Sequence, residues 1–253
     1  MKTFSVQSGS NGNCIYVEAD DVRLLFDAGV SGRCAEGRMA THHRRIRECD
    51  ALIVSHDHWD HASGAGVFHR KFRLPVFMTR GAYEAVRFRV GAMSDVRWFK
   101  PGERLRFGPL TVTTIPTPHD GIDTVCFLIE HEGRRLGIFT DLGHPFAALG
   151  EALSRVHAAY IESNYDVEML MTGEYPESLK QRISGKHGHL SNDEAAATAA
   201  RHVNGGLEWL AVAHLSAHNN RPYLAVRAMV EAVGRQLPVY VASRYEASDV
   251  REV

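Results

Sequence analysis

Three imidazoles and two carboxylates fall within the seven residues Ser55 to His61, SHDHWDH, at the end of the apolar run Ala51 to Ser55. An apolar run of that length ending in a polar cluster predicts a buried strand that delivers a loop. Neutral imidazole and carboxylate are the donors zinc takes where no thiolate is offered, and manganese or iron accept them too. A solvated His-rich loop would explain one or two of these histidines. It does not explain the spacing His-x-His-x-Asp-His at a strand end. Further donors of the same kind follow other strand-like runs: His119 in TPTPHD, stiffened by Pro118, Asp141 in GIFTDLGH, and His214 after Glu208 to Ala213.

The elements needed to carry these loops are legible in outline. Phe4 to Gln7, Cys14 to Glu18 and Arg23 to Phe26 read as strands, with SGSNGN (Ser8 to Asn13) as a tight connection and a hairpin about Asp20 and Asp21. SGSNGN reads as a simple turn or as a loop that brings backbone N–H groups to a ligand phosphate. Asp27, closing LLFDAG, reads as a carboxylate that orders the neighbouring loop. Ser63 to Phe72 and Ala82 to Arg89 are helical, and Pro75 to Thr79 is a strand. Five more strands are expected: Val96 to Lys100, Glu103 to Phe107, Leu110 to Pro116, Thr124 to His131 and Arg135 to Thr140. Helix Pro145 to Val156, strand Ala158 to Ile161 and short helices Asp166 to Met171 and Glu177 to Ser184 come next. Ser191 with Glu194 forms a capping box that starts a helix running to about His202, so His189 sits just ahead of a helix N-terminus. A helix near Pro222, a strand Pro238 to Ala242 and a polar tail from Tyr245 complete the chain. Two sheets of short strands with helices outside make an α/β four-layer sandwich, αβ/βα.

At 253 residues, 44% apolar and a net charge of −1, the chain suits one domain over residues 1–253. No linker, repeat or long apolar segment divides it, which predicts a cytoplasmic protein without membrane contact. Cys14, Cys34, Cys49 and Cys126 are scattered without a CxxC pair and are expected to be reduced thiols, not ligands. Near-zero net charge argues against a non-specific nucleic-acid coat. Between Arg70 and Arg106, however, ten Lys or Arg face three acids (Glu84, Asp95, Glu103), interleaved with Phe72, Tyr83, Phe88, Trp98 and Phe99. That segment reads either as a solvated face or as a surface that meets a polyanion.

The donors His56, His58, Asp60, His61, His119, Asp141 and His214, in this order and spacing, resemble the motifs of the metallo-β-lactamase superfamily. The resemblance implies two divalent metal ions, zinc or manganese, with iron also compatible. It assigns His56, His58 and His119 to one ion, Asp60, His61 and His214 to the other, and Asp141 to both. Two cations roughly 3.5–4 Å apart share a hydroxide of lowered pKa and stabilise attacking and leaving oxygens; Asp60 would also orient that hydroxide. The redox di-iron branch carries Glu where this chain has His58, so the resemblance favours hydrolysis.

SGSNGN, LLFDAGVSG, ESNYDVEMLMTGEYPESLKQRI, GHLSN and AHLSAHNN together resemble the YycJ/WalJ group of this superfamily across almost the whole chain. That implies a small bacterial cytoplasmic phosphodiesterase, a 5′-to-3′ DNA exonuclease, without the inserted β-CASP domain of larger nucleases. GHLSN is similar to a motif of the tRNase Z branch, which implies that His189 donates a proton or contacts the scissile phosphate. Glu162 and Asn164 are expected to hold His189 or touch substrate, and His218, Asn219 and Asn220 to line the site's entrance. The remaining histidines, His144 and His187 included, read as ordinary loop, surface or core residues.

Three functions follow. DNA phosphodiester hydrolysis leads. A small-molecule hydrolase acting on a thioester, lactone or β-lactam would use the same ligands. A non-catalytic regulatory protein that kept the fold would have little reason to retain so many buried charges.

Overall fold

Strands β1 (Lys2–Gln7), β2 (Cys14–Ala19) and β3 (Val22–Phe26) run antiparallel in succession, with the hairpin turning at Asp20 as the sequence predicts. This is a computed structural model that describes residues 1–203 and 205–253. After helix α1 (Gly32–Ala40), strands β4 (Ala51–Ile53), β5 (Val76–Met78) and β6 (Val96–Trp98) add in parallel beside β3. Helices α2 (Trp59–Ala62) and α3 (Ala65–Phe72) connect β4 to β5, and α4 (Arg80–Val90) connects β5 to β6. Thr79 caps α4 by accepting the Ala82 N–H at 3.1 Å.

The second sheet begins as a meander of β7 (Arg104–Phe107), β8 (Leu110–Pro116), β9 (Val125–His131) and β10 (Arg134–Phe139). It then turns parallel through β11 (Ala158–Glu162), β12 (Trp209–Ala213) and β13 (Val239–Val241). Parallel neighbours need crossovers, supplied by α5 (Ala147–Leu153), by α6 (Val167–Thr172), α7 (Glu177–Ser184) and α8 (Asn192–His202), and by α9 (Pro222–Val233). The Ser191–Glu194 capping box forms in both directions and starts α8. Among the described residues no helix is long and apolar enough to cross a membrane.

Three apolar clusters show the layering. Ile15, Val17, Leu24, Phe26, Phe127, Ile129, Leu136 and Tyr160 pack between the sheets. Their strand neighbours Cys14, Tyr16 and Leu25 face α1, α3 and α4, while Cys126, Leu128, Leu210 and Val212 face α5, α8 and α9. Period-two alternation therefore feeds two cores from each central strand, which is why these strands read as continuous apolar runs. The result is the αβ/βα sandwich.

Two elements escaped the sequence. The tail holds β14 (Arg251–Glu252), which pairs Lys2 with Glu252 and Thr3 with Arg251 and accepts the Trp209 indole N–H at 2.9 Å. Two polar residues carry no alternation to announce a strand. The four-residue α2 is likewise too short to show a helical period.

Strand direction gathers the polar loops. β3 and β4 point the same way, and so do β8, β10, β11 and β12, so residues 27, 56–61, 119, 141, 162 and 214 all lie at strand C-terminal ends. Three of them, Asp27, Asp141 and His214, have φ of 63°, 57° and 55°. A left-handed residue at a strand exit turns the chain sharply and is costly except where surrounding structure enforces it; such strain gathers at functional sites.

Candidate metal centre

The loop after β4 and the first turn of α2 carry four of the seven sequence-predicted donors. Two triads form with donor atoms within 4.8 Å of one another: His56, His58 and His119, and Asp60, His61 and His214. Asp141 joins both neighbourhoods, clustering with His56 and His61 on one side and with Glu162, His189 and His214 on the other. His119 Nε2 lies 3.1 Å from His58 Nδ1, and His214 Nε2 lies 3.1 Å from Asp60 Oδ2. Every predicted ligand is therefore brought to one place.

Four of the five imidazoles, all but His58, are aimed by a buried acceptor behind them. Asp27 accepts the Ser55 N–H at 2.7 Å and the His61 Nδ1–H at 2.7 Å. It also takes the single Ser55 hydroxyl proton at 3.0 Å, so Ser55 Oγ can only accept from His56 Nδ1, 2.9 Å away. One carboxylate thus fixes the tautomers of two histidines, one in each triad, and leaves their Nε2 lone pairs facing inward. His119 Nδ1 donates to the Gly188 carbonyl at 2.8 Å, and His214 Nδ1 to Glu162 Oε1 at 3.1 Å. Backing of this kind is what metal-ligating histidines require. The residues fit a pair of cations on a further ground: His56 Nε2 is buried with no hydrogen-bond partner among the described residues, and the buried Asp141 Oδ2 has only the His61 ring beside it at 3.0 Å, an arrangement that is costly unless an ion meets these atoms.

The family model described as Beta-lactamase superfamily domain matches residues 22–210, from β3 into β12. The chain belongs to the beta-lactamase superfamily. Within that superfamily it is similar to exodeoxyribonuclease YycJ of Bacillus anthracis, 34% identical over 249 residues that cover 97% of this chain and 94% of that protein. Exodeoxyribonuclease WalJ of Streptococcus pneumoniae is 30% identical over 257 residues, 97% and 96% of the two chains. The metallo-beta-lactamase fold protein YhfI from Bacillus subtilis superposes with a TM-score of 0.77 at 18% identity, covering 100% of this chain and 98% of that one. Membership and the His/Asp cluster make the chain a metal-dependent hydrolase.

Charge in this superfamily site is balanced by protons when metal is absent. Burial pushes His56 and His119 below the ordinary imidazole value, so both are neutral and ready to donate lone pairs. Burial also opposes charge on His61 and His214, but Asp141 with Asp27 and Asp60 holds His61 well up, and Asp141, Asp60 and Glu162 raise His214 from 6.5 to about 10. A raised folded-state value stabilises the fold fully below 6.5 and is lost as pH rises through about 10, so the metal-free protein weakens over that window. Metals require deprotonated imidazole. Loading at pH 7 should therefore release protons from His61 and His214, read by calorimetry in buffers of different ionisation heat. Release should fade above the raised value; loading at pH 7 with no proton release would contradict this charge balance.

Glu162 is the residue that sequence undervalued. It is wholly buried at the end of β11, where Oε1 accepts from His189 Nδ1 at 2.7 Å and from His214, and Oε2 accepts from the Leu142 and Leu190 N–H groups, each at 3.1 Å. Burial opposes its charge, yet His189 and His214 bring its carboxyl down to about 2. Glu162→Gln loses that charge and should weaken metal affinity about 10–100-fold, measured by competition with a chromogenic chelator. Unchanged affinity would reduce Glu162 to a backbone brace.

Other expectations resolve differently. Asn164, expected to hold His189 or touch substrate, and Asn219 and Asn220, expected at the entrance, are all buried. Asn164 donates to the His214 carbonyl at 2.7 Å, and Asn220 donates to the Ser163 and Asn164 carbonyls, so both brace the loop behind His214. Asn219 leaves its Nδ2 buried without a hydrogen-bond partner among the described residues. The SGSNGN turn also works inward: Ser8 Oγ accepts the His214 N–H at 2.9 Å, and Asn13 Nδ2 lies 2.9 Å from His61 Nε2. Asn13 N–H donates to the Asp60 carbonyl at 2.8 Å, an approach that leaves no room for a side chain at Gly29, whose Cβ would sit 1.6 Å from that oxygen. Asp57 and Asp120 were not singled out by sequence. Asp57 accepts the Ile122 N–H at 2.7 Å, and Asp120 bridges His58, at 3.4 Å, to Arg182, at 2.7 Å.

Proposed function

We propose that the chain is a dinuclear-metal-dependent phosphodiesterase that degrades DNA as an exonuclease, 5′ to 3′, in the cytoplasm. The observation that carries this reading is the pair of donor triads meeting at Asp141, in a chain 34% identical to an exodeoxyribonuclease along nearly its full length. His56, His58 and His119 would hold one ion, Asp60, His61 and His214 the other, and Asp141 would reach both. When bound, two such ions, zinc or manganese, supply a hydroxide nucleophile near neutral pH and positive charge at the scissile phosphate.

The chain's own groups do the rest. Asp60, held at 3.1 Å by His214, orients the nucleophile with its remaining acceptor capacity. His189 is part-exposed and gives its Nδ1–H to Glu162, while its Nε2 has no hydrogen-bond partner among the described residues. With Nδ1–H held by Glu162, Nε2 is the ring atom left to carry a proton to the departing oxygen. Asn164 and Asn220 act on substrate indirectly, through the loop that presents His214.

The test uses DNA strands labelled at the 5′ or the 3′ end and incubated with purified protein and zinc or manganese. Progressive loss from the 5′ end with release of mononucleotides is expected. Untouched strands, or internal cuts alone, would defeat the exonuclease reading.

A further inference from the structure

Between His58 and Asp60 the chain carries Trp59, and 51% of this residue is exposed at the start of α2. Its neighbours in sequence supply the metal centre, and no part of that centre uses the indole. Over its ring, 5.5 Å from the centroid, sits the guanidinium of Arg89 from the last turn of α4. Next to Arg89, Phe88 is 82% exposed and is covered by Arg87 at 4.2 Å. Ala82, Val86 and Val90 bury the other face of α4, so the outward aromatics are not spare core residues.

The charges on this strip are unequal. Arg87 is paired with Glu84 at 2.7 Å, whereas Arg89 meets no carboxylate among the described residues. Three further cations of the basic segment are occupied: Arg70 donates to the Val90 and Ala92 carbonyls, Lys71 pairs with Glu36, and Arg97 pairs with Asp95. Phe72 and Phe99 are core residues. Of the segment's cations without a carboxylate partner among the described residues, Arg89 is the one seated on the ring of Trp59, which places the end of α4 beside the metal loop.

An exposed aromatic face beside an unneutralised guanidinium suits an unpaired base with its phosphate, and the fit is indifferent to sequence because every base has a π-face. Bases inside a duplex are stacked on each other and offer no such face. Resting on the nuclease reading above, we propose that Trp59, Phe88 and Arg89 form a stacking platform that holds an unpaired stretch of the substrate strand beside the metal centre, with Arg89 on a phosphate.

Steady-state cleavage of an unpaired oligothymidylate by the metal-loaded protein tests this. Trp59→Ala should raise KM on the order of tenfold with kcat retained, and Trp59→Phe should keep the wild-type KM, because one stacking face is lost in the first and kept in the second. Arg89→Ala should lower the slope of log affinity against log salt by about 0.7, the contribution of one phosphate contact on a single strand. Wild-type KM in Trp59→Ala, with oligonucleotide still cleaved, would overturn the platform alone. Hydrolysis of bis(p-nitrophenyl) phosphate with no oligonucleotide cleaved would overturn the nuclease reading, and the platform with it.

Discussion

Asp141→Ala should abolish tight binding of both metal ions and lower kcat/KM by about a thousandfold or more, since loss of several kcal/mol of charge stabilisation has that effect. The side chain is 2% exposed at the end of the second sheet's central strands. Its Oδ2 lies 3.0 Å from His61 Nε2, and its Oδ1 lies 3.5 Å from His119 and 3.6 Å from His214. Among the described residues no other carboxylate touches histidines of both triads. Burial opposes its ionisation, but His214, His61 and His119 keep it well below the usual carboxylate range. Removing it takes the common counter-charge from those imidazoles, so the metal-free variant should also show a lower proton affinity at His61 and His214, which Asp27, Asp60 and Glu162 still support. Proton release on adding metal would then fall. A variant that still binds two ions and keeps its turnover would show that the triads act independently.

His189→Ala should behave differently. It should retain the metal content of the wild type while kcat falls about 10²–10⁴-fold, the range for loss of a general acid. His189 contacts Glu162 directly and stands with its ring 5.0 Å from that of His119 and 5.1 Å from that of His214. A proton is needed only by a poor leaving group. With a nucleotide p-nitrophenyl ester, whose leaving group departs unprotonated, the variant's deficit should shrink to a small factor. An equal deficit on both substrates would make His189 a phosphate ligand or a positioning residue.

The metal loop was legible because its chemistry is local: four donors in six residues, and strands whose apolar runs end at each ligand. The layering was legible for a related reason. Val125 to Ile129 alternates between two cores, so a continuous apolar run marks a strand covered on both faces. What the sequence concealed was long-range. Glu162 was expected to hold His189 or touch substrate, and it holds His189, but nothing near it shows that the same carboxylate would also serve His214 and two backbone amides. Asn164 looked like a substrate contact and Asn219 and Asn220 like entrance residues because they are polar and near motifs, whereas all three are buried and Asn164 and Asn220 brace backbone. Asp27 was read as ordering its neighbouring loop, and it reaches further, to Ser55 and His61 of the SHDHWDH loop.

The most direct test of the account is metal stoichiometry by elemental mass spectrometry, measured beside DNA cleavage for the wild type, His119→Ala and His214→Ala. The account predicts about two ions per wild-type chain, a loss of roughly one in each single variant, and cleavage that disappears with either loss. A single ion in the wild type, or DNA cleavage that survives complete removal of metal, would contradict it.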